Sequence, residues 1–153
     1  MSFEDFAFHL NTNCVGPIYV AQKLLQSNIQ IGTIVFVSSD SGSVLEFRAM
    51  EDGFSAYAAS KAALNMAARH MDAELRRKGR KTSILCLHPG EVKTDMCNID
   101  IAWEVEGQMT TEESVKQCIA TIESKTYDDS GTFWKWDNRV SRSIVLYVSC
   151  ILI

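Results

Sequence analysis

The stretch TIVFVSS at residues 33–39 is a run of β-branched and aromatic residues that ends in two serines. Because the first five positions are all apolar or β-branched, they predict a strand buried on both faces, as strands of parallel sheets are. A second run, TSILCL at residues 82–87, is stopped by Pro89-Gly90. A shorter run, GTFWKW, fills residues 131–136. The sequence therefore predicts three strands.

Helices are predicted between these strands. Apolar residues recur at helical spacing over residues 2–26, a long helix is predicted from about 56 to 78, and a shorter one at 111–123. The polar residues 40–55, which contain glycine, are predicted to be a loop. The order helix, strand, helix, strand, helix, strand predicts an α/β chain that forms half of a doubly wound sheet.

Composition excludes several classes of function. The 153 residues are 46% hydrophobic and 22% charged, with a net charge of −4, which gives no electrostatic reason to expect a nucleic-acid partner. The five cysteines include no CxxC pair, which is typical of reduced thiols in a cytoplasmic protein. The three histidines lack the spacing of metal ligands, so no metal is expected.

The end of the sequence differs from the rest. Residues 143–153, SIVLYVSCILI, are almost wholly apolar, but they are about half of the ~20 residues that cross a bilayer, so no membrane anchor is predicted. We treat residues 138–153 as an atypical apolar tail. Two explanations stay open: a misread gene boundary, or a genuine extra strand that covers exposed core.

Tyr57 and Lys61 are the residues with the most evident chemistry. Four positions apart on one helix, they share a face, where the ammonium is expected to lower the phenol pKa from its ordinary value of about 10. With the hydroxyl of Ser39 nearby, the pair predicts a site that moves a proton on or off a carbonyl oxygen. Alone, the spacing also occurs by chance, as a helix tyrosine beside a solvated lysine.

Asn13 is a further candidate because of Pro17. A proline lacks the N–H that would bond the carbonyl four residues earlier, so the carbonyl of Asn13 is free to hold a water molecule. A helix kinked at this point is able to feed a proton relay. The alternative is an ordinary amide on the helix surface.

The order of these motifs resembles the short-chain dehydrogenase/reductase family. The resemblance runs from about residue 2 to residue 137, which we take as one partial domain of 1–137, and is greatest to the C-factor/sniffer-like carbonyl reductases. The matching motifs are Asn13-x-x-Gly16, strand-Ser-Ser-x-x-Gly42, Tyr57-x-x-x-Lys61 and Pro89-Gly90-x-x-x-Thr94.

The resemblance implies the C-terminal part of an NAD(P)-binding Rossmann fold, with NADP or NAD as cofactor and a small carbonyl compound or alcohol as substrate. Tyr57 would be the general acid, Lys61 would lower its pKa and bond the nicotinamide ribose, Ser39 would orient the substrate carbonyl, and Asn13 would anchor the relay water. Four positions would line the nicotinamide: Pro89, Gly90, Val92 and Thr94.

The sequence departs from the family pattern in one large respect. It contains no strand-GxGxxG-helix unit to hold the cofactor pyrophosphate, so we expect the N-terminal half of the fold to be missing and the strand at 33–37 to have an unpaired edge. The alternative function is a truncated, inactive module. It would associate at most through its helices at 2–26 and 56–78, the pair that the resemblance implies as a homodimer interface.

Overall fold

The structure, a computed structural model, describes residues 2–95 and 107–141. Its helices are α1, α2, α3 and α4, and its strands β1, β2 and β3. The helices span Phe3–Leu10, Gly16–Gln26, Ser55–Arg77 and Thr111–Glu123, and the strands span Thr33–Val37, Ser83–His88 and Thr132–Lys135. The predicted helices and strands are therefore confirmed, with ends that differ by one or two residues.

The three strands form one parallel sheet in the order β1-β2-β3. In the register, Thr33 lies beside Ser83, and Cys86 lies beside both Phe36 and Phe133. Within the described residues, the outer edge of β1 has no strand partner. The α/β fold class is confirmed, and β2 is fully buried because it has a strand on each side and α3 packed against it.

Helix α3 supplies one side of the core. Its residues Leu64, Ala68, Met71 and Leu75 recur at the spacing that places them on one helix face, and all four are buried. They pack with Phe36, Ile84, Cys86 and Phe133 of the sheet and with Ala21 of α2. This packing fixes α3 across the sheet, and it fixes the start of α3 near the carboxyl ends of the strands.

The first predicted helix is not continuous. A π-helical segment at Asn11–Val15 separates α1 from α2, and in it the N–H of Gly16 donates to the carbonyl of Asn11, five residues earlier. Pro17 lies in the first turn of α2 and contributes no N–H, which explains why the α-helical pattern is interrupted here. The sequence predicted a disturbance at Pro17 but not its π-helical form.

The predicted loop at 40–55 contains three 3-10 turns, at Asp40–Gly42, Val44–Glu46 and Ala49–Glu51. At the other end, Val140 forms an isolated antiparallel bridge with Trp134, and the N–H of Ser141 donates to Phe133, so residues 138–141 turn back along β3. Most of the predicted apolar tail, 142–153, lies outside the described residues. Among the described helices, none combines the length and apolarity needed to span a bilayer.

Candidate active site

The carboxyl ends of the three parallel strands meet at one edge of the sheet. There the chain continues from β1 into Ser38-Ser39, from β2 into Pro89-Gly90, and from β3 into Trp136. Ligands of open α/β sheets bind outside this edge. The residues predicted from motifs therefore come together, and the start of α3 adds Tyr57 and Lys61 to them.

The two serines after β1 have different partners. The hydroxyl of Ser38 donates to Asn65 Oδ1 at 2.6 Å, whereas the hydroxyl of Ser39 acts on the side chain of Tyr57 and lowers the pKa of its phenol. Ser39 Oγ also accepts from the N–H of Ser41 at 3.2 Å and so begins the first 3-10 turn. Of the two serines, Ser39 is therefore the one whose hydroxyl acts on the tyrosine.

Gly42 makes this arrangement possible. A Cβ placed on Gly42 would lie 2.7 Å from Ala62 N and 2.8 Å from the carbonyl carbon of Lys61, both backbone atoms of α3. Only glycine lets the turn approach the helix so closely. The approach holds the turn that carries Ser39 against the turn of α3 that carries Lys61.

Lys61 contacts Tyr57 over the face of its ring. Lys61 Nζ lies 5.6 Å from the ring centroid and donates to the carbonyl of Val37 at 3.1 Å. Burial raises the pKa of Tyr57, and the nearby carboxylates of Glu91 and Asp40 raise it further, while the Ser39 hydrogen bond opposes them. The expected lowering of this pKa by Lys61 is therefore wrong for this geometry, because the ammonium lies over the ring and bonds the end of β1.

Burial also lowers the pKa of Lys61, although the ammonium faces Cys86. Cys86 is a buried thiol whose pKa burial raises to about 12. The thiol therefore stays protonated at neutral pH and supplies no counter-charge. Of the three donors of the ammonium, one is used by Val37, which leaves the group suited to binding hydroxyl oxygens.

Asn13 joins the site through a serine that the sequence analysis did not single out. Asn13 Nδ2 donates to Ser60 Oγ at 3.0 Å, and Ser60 Oγ donates to the backbone carbonyl of Tyr57 at 2.6 Å. Ser60 is fully buried and bonds the carbonyl three residues earlier, a pattern that serine often shows within helices. The link connects the π-helical segment to the helical turn of Tyr57. A water on the Asn13 carbonyl stays a prediction.

The segment Pro89-Gly90 is held closely by its neighbours. Gly90 has φ +87°, and a Cβ there would lie 2.2 Å from Met109 Cε and 2.7 Å from Trp136 Cδ1. The carbonyl of Pro89 accepts from Ser114 Oγ at 2.7 Å. A left-handed backbone in so small a space requires glycine.

The strand-like residues after Gly90 are paired with the chain before α4. The N–H of Lys93 donates to Met109 and the N–H of Met109 donates to Glu91, so Val92 and Met109 form a parallel bridge. Val92 and Thr94 thus lie on a fixed segment beside the sheet edge. Met109 is buried here.

A buried ion-pair network lies at the same edge and was not predicted. Asp40 contacts Arg48, Lys135 and His88, and Arg48 contacts Glu91 at 3.7 Å. The sequence did contain an indication of this network, because His88 and Lys135 end predicted or observed strands and Asp40 comes shortly after one. Three of these four contacts join residues that are 40 or more positions apart in the sequence. Only the order of the strands in the sheet brings those residues together.

Three members of this network, Asp40, His88 and Glu91, place one ligand atom each within 4.8 Å of one another. Such a group is able to hold a cation in principle. However, Asp40 Oδ1 is 3.3 Å from Arg48 and Asp40 Oδ2 is 3.3 Å from Lys135, so both oxygens already face fixed positive charges. We therefore describe the group as an ion-pair network and assign it no metal.

His88 is expected to make stability depend on pH. Burial lowers its pKa below 6.5, although Asp40 opposes this, and Nδ1 has no hydrogen-bond partner among the described residues. The unfolded chain thus binds a proton at higher pH than the folded chain, so the contribution to stability is present above about 6.5 and is lost as the pH falls below it. We expect the free energy of unfolding in denaturant titrations to decrease from pH 7 to pH 5.5.

A His88→Gln variant should show a smaller decrease over the same interval, while His70→Gln, at an exposed position on α3, should keep the wild-type slope. Equal slopes in the wild type and His88→Gln would show that His88 does not carry this dependence.

Comparison with known proteins identifies the family. The sequence model of the family described as short chain dehydrogenase matches residues 1–105, and the chain belongs to this family. It is 33% identical over 151 residues to an uncharacterized oxidoreductase of Schizosaccharomyces pombe, covering 90% of this chain and 58% of the relative. It is 32% identical over 138 residues to the C-signal protein of Myxococcus xanthus, covering 89% of this chain and 77% of that protein.

Solved structures agree with this assignment. The fold matches the NADPH-bound carbonyl reductase from chicken fatty liver with a TM-score of 0.80 and 28% sequence identity, over 92% of this chain and 57% of that chain. The family and the carbonyl reductase-like fold predicted from the motifs are thus confirmed. The chain spans little more than half the length of this reductase and of the yeast relative.

Proposed function

We propose that this chain supplies the proton-transfer and nicotinamide-lining part of an NADP- or NAD-dependent oxidoreductase, which interconverts a carbonyl compound and an alcohol. The observation that carries the proposal is the placement of Lys61 Nζ over the Tyr57 ring at the carboxyl edge of the sheet, with the turn that carries Ser39 packed at Gly42 against the same part of α3. Family membership and the similarity to a carbonyl reductase support the reaction class.

Each side chain has a role that follows from its contacts. Tyr57 would donate its phenolic proton to the carbonyl oxygen during reduction and take it back during oxidation. Ser39, whose hydroxyl already lies beside that phenol, would donate a hydrogen bond to the same oxygen and stabilise its developing charge. Asn13 would support this end of α3 through Ser60.

The residues present fit a nicotinamide cofactor. Lys61 has ammonium donors left after its bond to Val37, and these would bind ribose hydroxyls. Pro89, Gly90, Val92 and Thr94 would line the nicotinamide, and their segment is held by the pairing of residues 91–93 with Met109 and by the packing of Met109 and Trp136 against Gly90. A bound nicotinamide would supply or accept the hydride, while the chain supplies position and the proton.

The proposal is tested by following NADPH and NADH absorbance during incubation of the purified chain with a simple aldehyde such as benzaldehyde. We expect consumption of one cofactor that depends on both aldehyde and protein. A rate equal to that of the buffer alone, for chain whose circular dichroism shows it to be folded, would contradict the proposal. Among the described residues, Cys14, Cys86 and Cys118 are free thiols, and they are the reason to propose a cytoplasmic location as well.

A second candidate is an inactive module that associates through its helices. The observation that favours it is a set of large apolar side chains exposed on α1, the π-helical segment and α2: Phe3, Phe8, Val15, Tyr19, Val20 and Leu24. Contiguous exposed apolar residues often mark an interface. We infer that a second copy of the chain covers them.

The association predicts a difference between two phenylalanines. Phe8 on α1 is 64% exposed and Phe47 in the loop after β1 is 71% exposed. We expect Phe8→Asp to weaken the dimer at least about tenfold in sedimentation or light-scattering measurements, because it places a charge in an apolar interface. Phe47→Asp is the matched control and should leave the dimer unchanged. Equal effects of the two variants would contradict an interface on α1 and α2.

A further inference from the structure

Asp40 follows Ser39 directly and is almost wholly buried, with 9% of its side chain exposed. Its Oδ1 lies 3.3 Å from Arg48 Nη2, and its Oδ2 lies 3.3 Å from Lys135 Nζ and 3.6 Å from His88 Nε2. Burial opposes its ionisation, but His88, Arg48 and Lys135 together hold its pKa below the ordinary value. Asp40 is therefore a buried carboxylate between two cations.

Each of these cations has a second acidic partner. Arg48 Nε donates to Glu51 Oε1 at 2.7 Å, and Lys135 Nζ lies 3.1 Å from Glu46 Oε2. The network therefore links the turn after β1 to the last residues of β2 and β3 and to the two turns that follow. Its charged groups are Asp40, Glu46, Arg48, Glu51, His88, Glu91 and Lys135.

We propose that Asp40 is a positioning residue for the proton-transfer pair, which acts by fixing the turn that holds Ser39 Oγ at Tyr57. The inference rests on the proposed function, because it assigns Asp40 a part in preparing the site that Tyr57 and Ser39 form. Asp40 itself donates nothing to a substrate in this role. It acts through Ser39.

The backbone around Asp40 explains how the side chain controls the serine. The N–H of Ser43 donates to the carbonyl of Asp40 at 2.8 Å, and the N–H of Gly42 donates to the carbonyl of Ser39 at 3.1 Å, so both residues belong to one tight turn. Gly42 presses that turn against α3. Rotating the turn to move Ser39 would separate Asp40 from Lys135 and remove one of the two cations that pair with this buried carboxylate, which is unfavourable.

The test measures how Asp40 affects Tyr57 with and without Ser39. The full chain is titrated and the phenolate absorbance near 295 nm is followed, with the spectrum of Tyr57→Phe subtracted so that only Tyr57 contributes. The measurement is made for the wild type, Asp40→Asn, Ser39→Ala and the double variant. The measurement does not depend on catalytic turnover. It therefore tests the role of Asp40 separately from the proposed reductase function, even if the chain shows no reductase activity.

The titration distinguishes two ways in which Asp40 can change the midpoint of Tyr57: by positioning Ser39, or only through the electric field of its own charge. If Asp40 acts only through its charge, Asp40→Asn lowers the Tyr57 midpoint by the same amount in both backgrounds. If Asp40 positions Ser39, Asp40→Asn also weakens the Ser39 hydrogen bond, which raises the midpoint only where Ser39 is present. We expect the two shifts to differ by at least about 0.5 pH unit, the order of one hydrogen bond. Equal shifts would overturn the proposal.

Two further variants keep the test decisive if Asp40→Asn does not fold. Lys135→Gln removes the anchor on β3 and leaves Asp40 in place, and its effect on Tyr57 should likewise depend on Ser39. Asp72→Asn is the matched control, since Asp72 is an equally buried carboxylate that binds Arg76 and Ser130 away from the site. It should destabilise the chain without changing the Tyr57 midpoint. A shift with Asp72→Asn as large as that with Lys135→Gln would also overturn the proposal.

Discussion

Tyr57→Phe is expected to reduce kcat/KM for NADPH-dependent carbonyl reduction by a factor of about 10² to 10⁴, the usual contribution of general acid catalysis. The variant removes only the phenolic hydroxyl, whose pKa the side chain of Ser39 lowers. The ring keeps its contacts with Lys61 and with the edge of His9, whose centroid is 6.2 Å away. The loss should therefore appear in the proton-transfer step and not in folding.

Two measurements distinguish a loss of proton transfer from a loss of folding or of cofactor binding. Thermal unfolding and the Kd for NADPH should stay close to the wild-type values in Tyr57→Phe. Tyr127→Phe is the matched control, because the hydroxyl of Tyr127 donates to the carbonyl of Arg80 at the far end of α3. A Tyr57→Phe variant that kept more than about a third of the wild-type kcat/KM would contradict the role of this tyrosine as general acid.

Gly42→Ala is expected to have the second largest effect. The new methyl would lie 2.7 Å from Ala62 N, and the backbone of a central helix cannot yield as a flexible side chain can. We expect the free energy of unfolding to fall by about 1–3 kcal/mol, as for other overpacked sites. Because the turn must move away from α3, Ser39 should also separate from Tyr57, and carbonyl reduction should fall at least tenfold.

Gly32→Ala is the matched control for this substitution. A Cβ at Gly32 would meet no atom within 4 Å, so the variant should unfold in urea at the wild-type midpoint or slightly above it. If Gly42→Ala and Gly32→Ala had equal stability and activity, the close approach of the turn to α3 would not be needed for the site.

The fold was largely predictable from the sequence because its elements are strongly patterned. The strand at Thr33–Val37 and the helix at Thr111–Glu123 agree with the sequence in both bounds. An uninterrupted apolar run and a helix preceded by a capping threonine are patterns of residues that are neighbours in the sequence. Such patterns favour the same element whatever the rest of the chain does. The π-helical segment at Asn11–Val15 was not predicted, since Pro17 indicates only that one hydrogen bond is missing and not how the backbone compensates.

The site was predictable only in part. Tyr57 and Lys61 were predicted from their spacing on one helix, and Ser39 was predicted from the family resemblance at the end of one strand. The ion-pair network was missed, because Asp40 and Lys135 are 95 positions apart and meet only through the order of the strands. The position of Lys61 over the Tyr57 ring was also missed, since helical spacing places two residues on one face but does not fix where the ammonium points.

The most direct measurement of the central claim is a reduction with NADPH that carries deuterium on its reactive face, followed by mass spectrometry of the alcohol. If the chain provides the proton-transfer site of a nicotinamide-dependent reductase, the alcohol from benzaldehyde should carry one deuterium on its carbinol carbon, and this product should nearly disappear with Tyr57→Phe. Unlabelled alcohol, or labelled alcohol formed equally well by Tyr57→Phe, would contradict the claim.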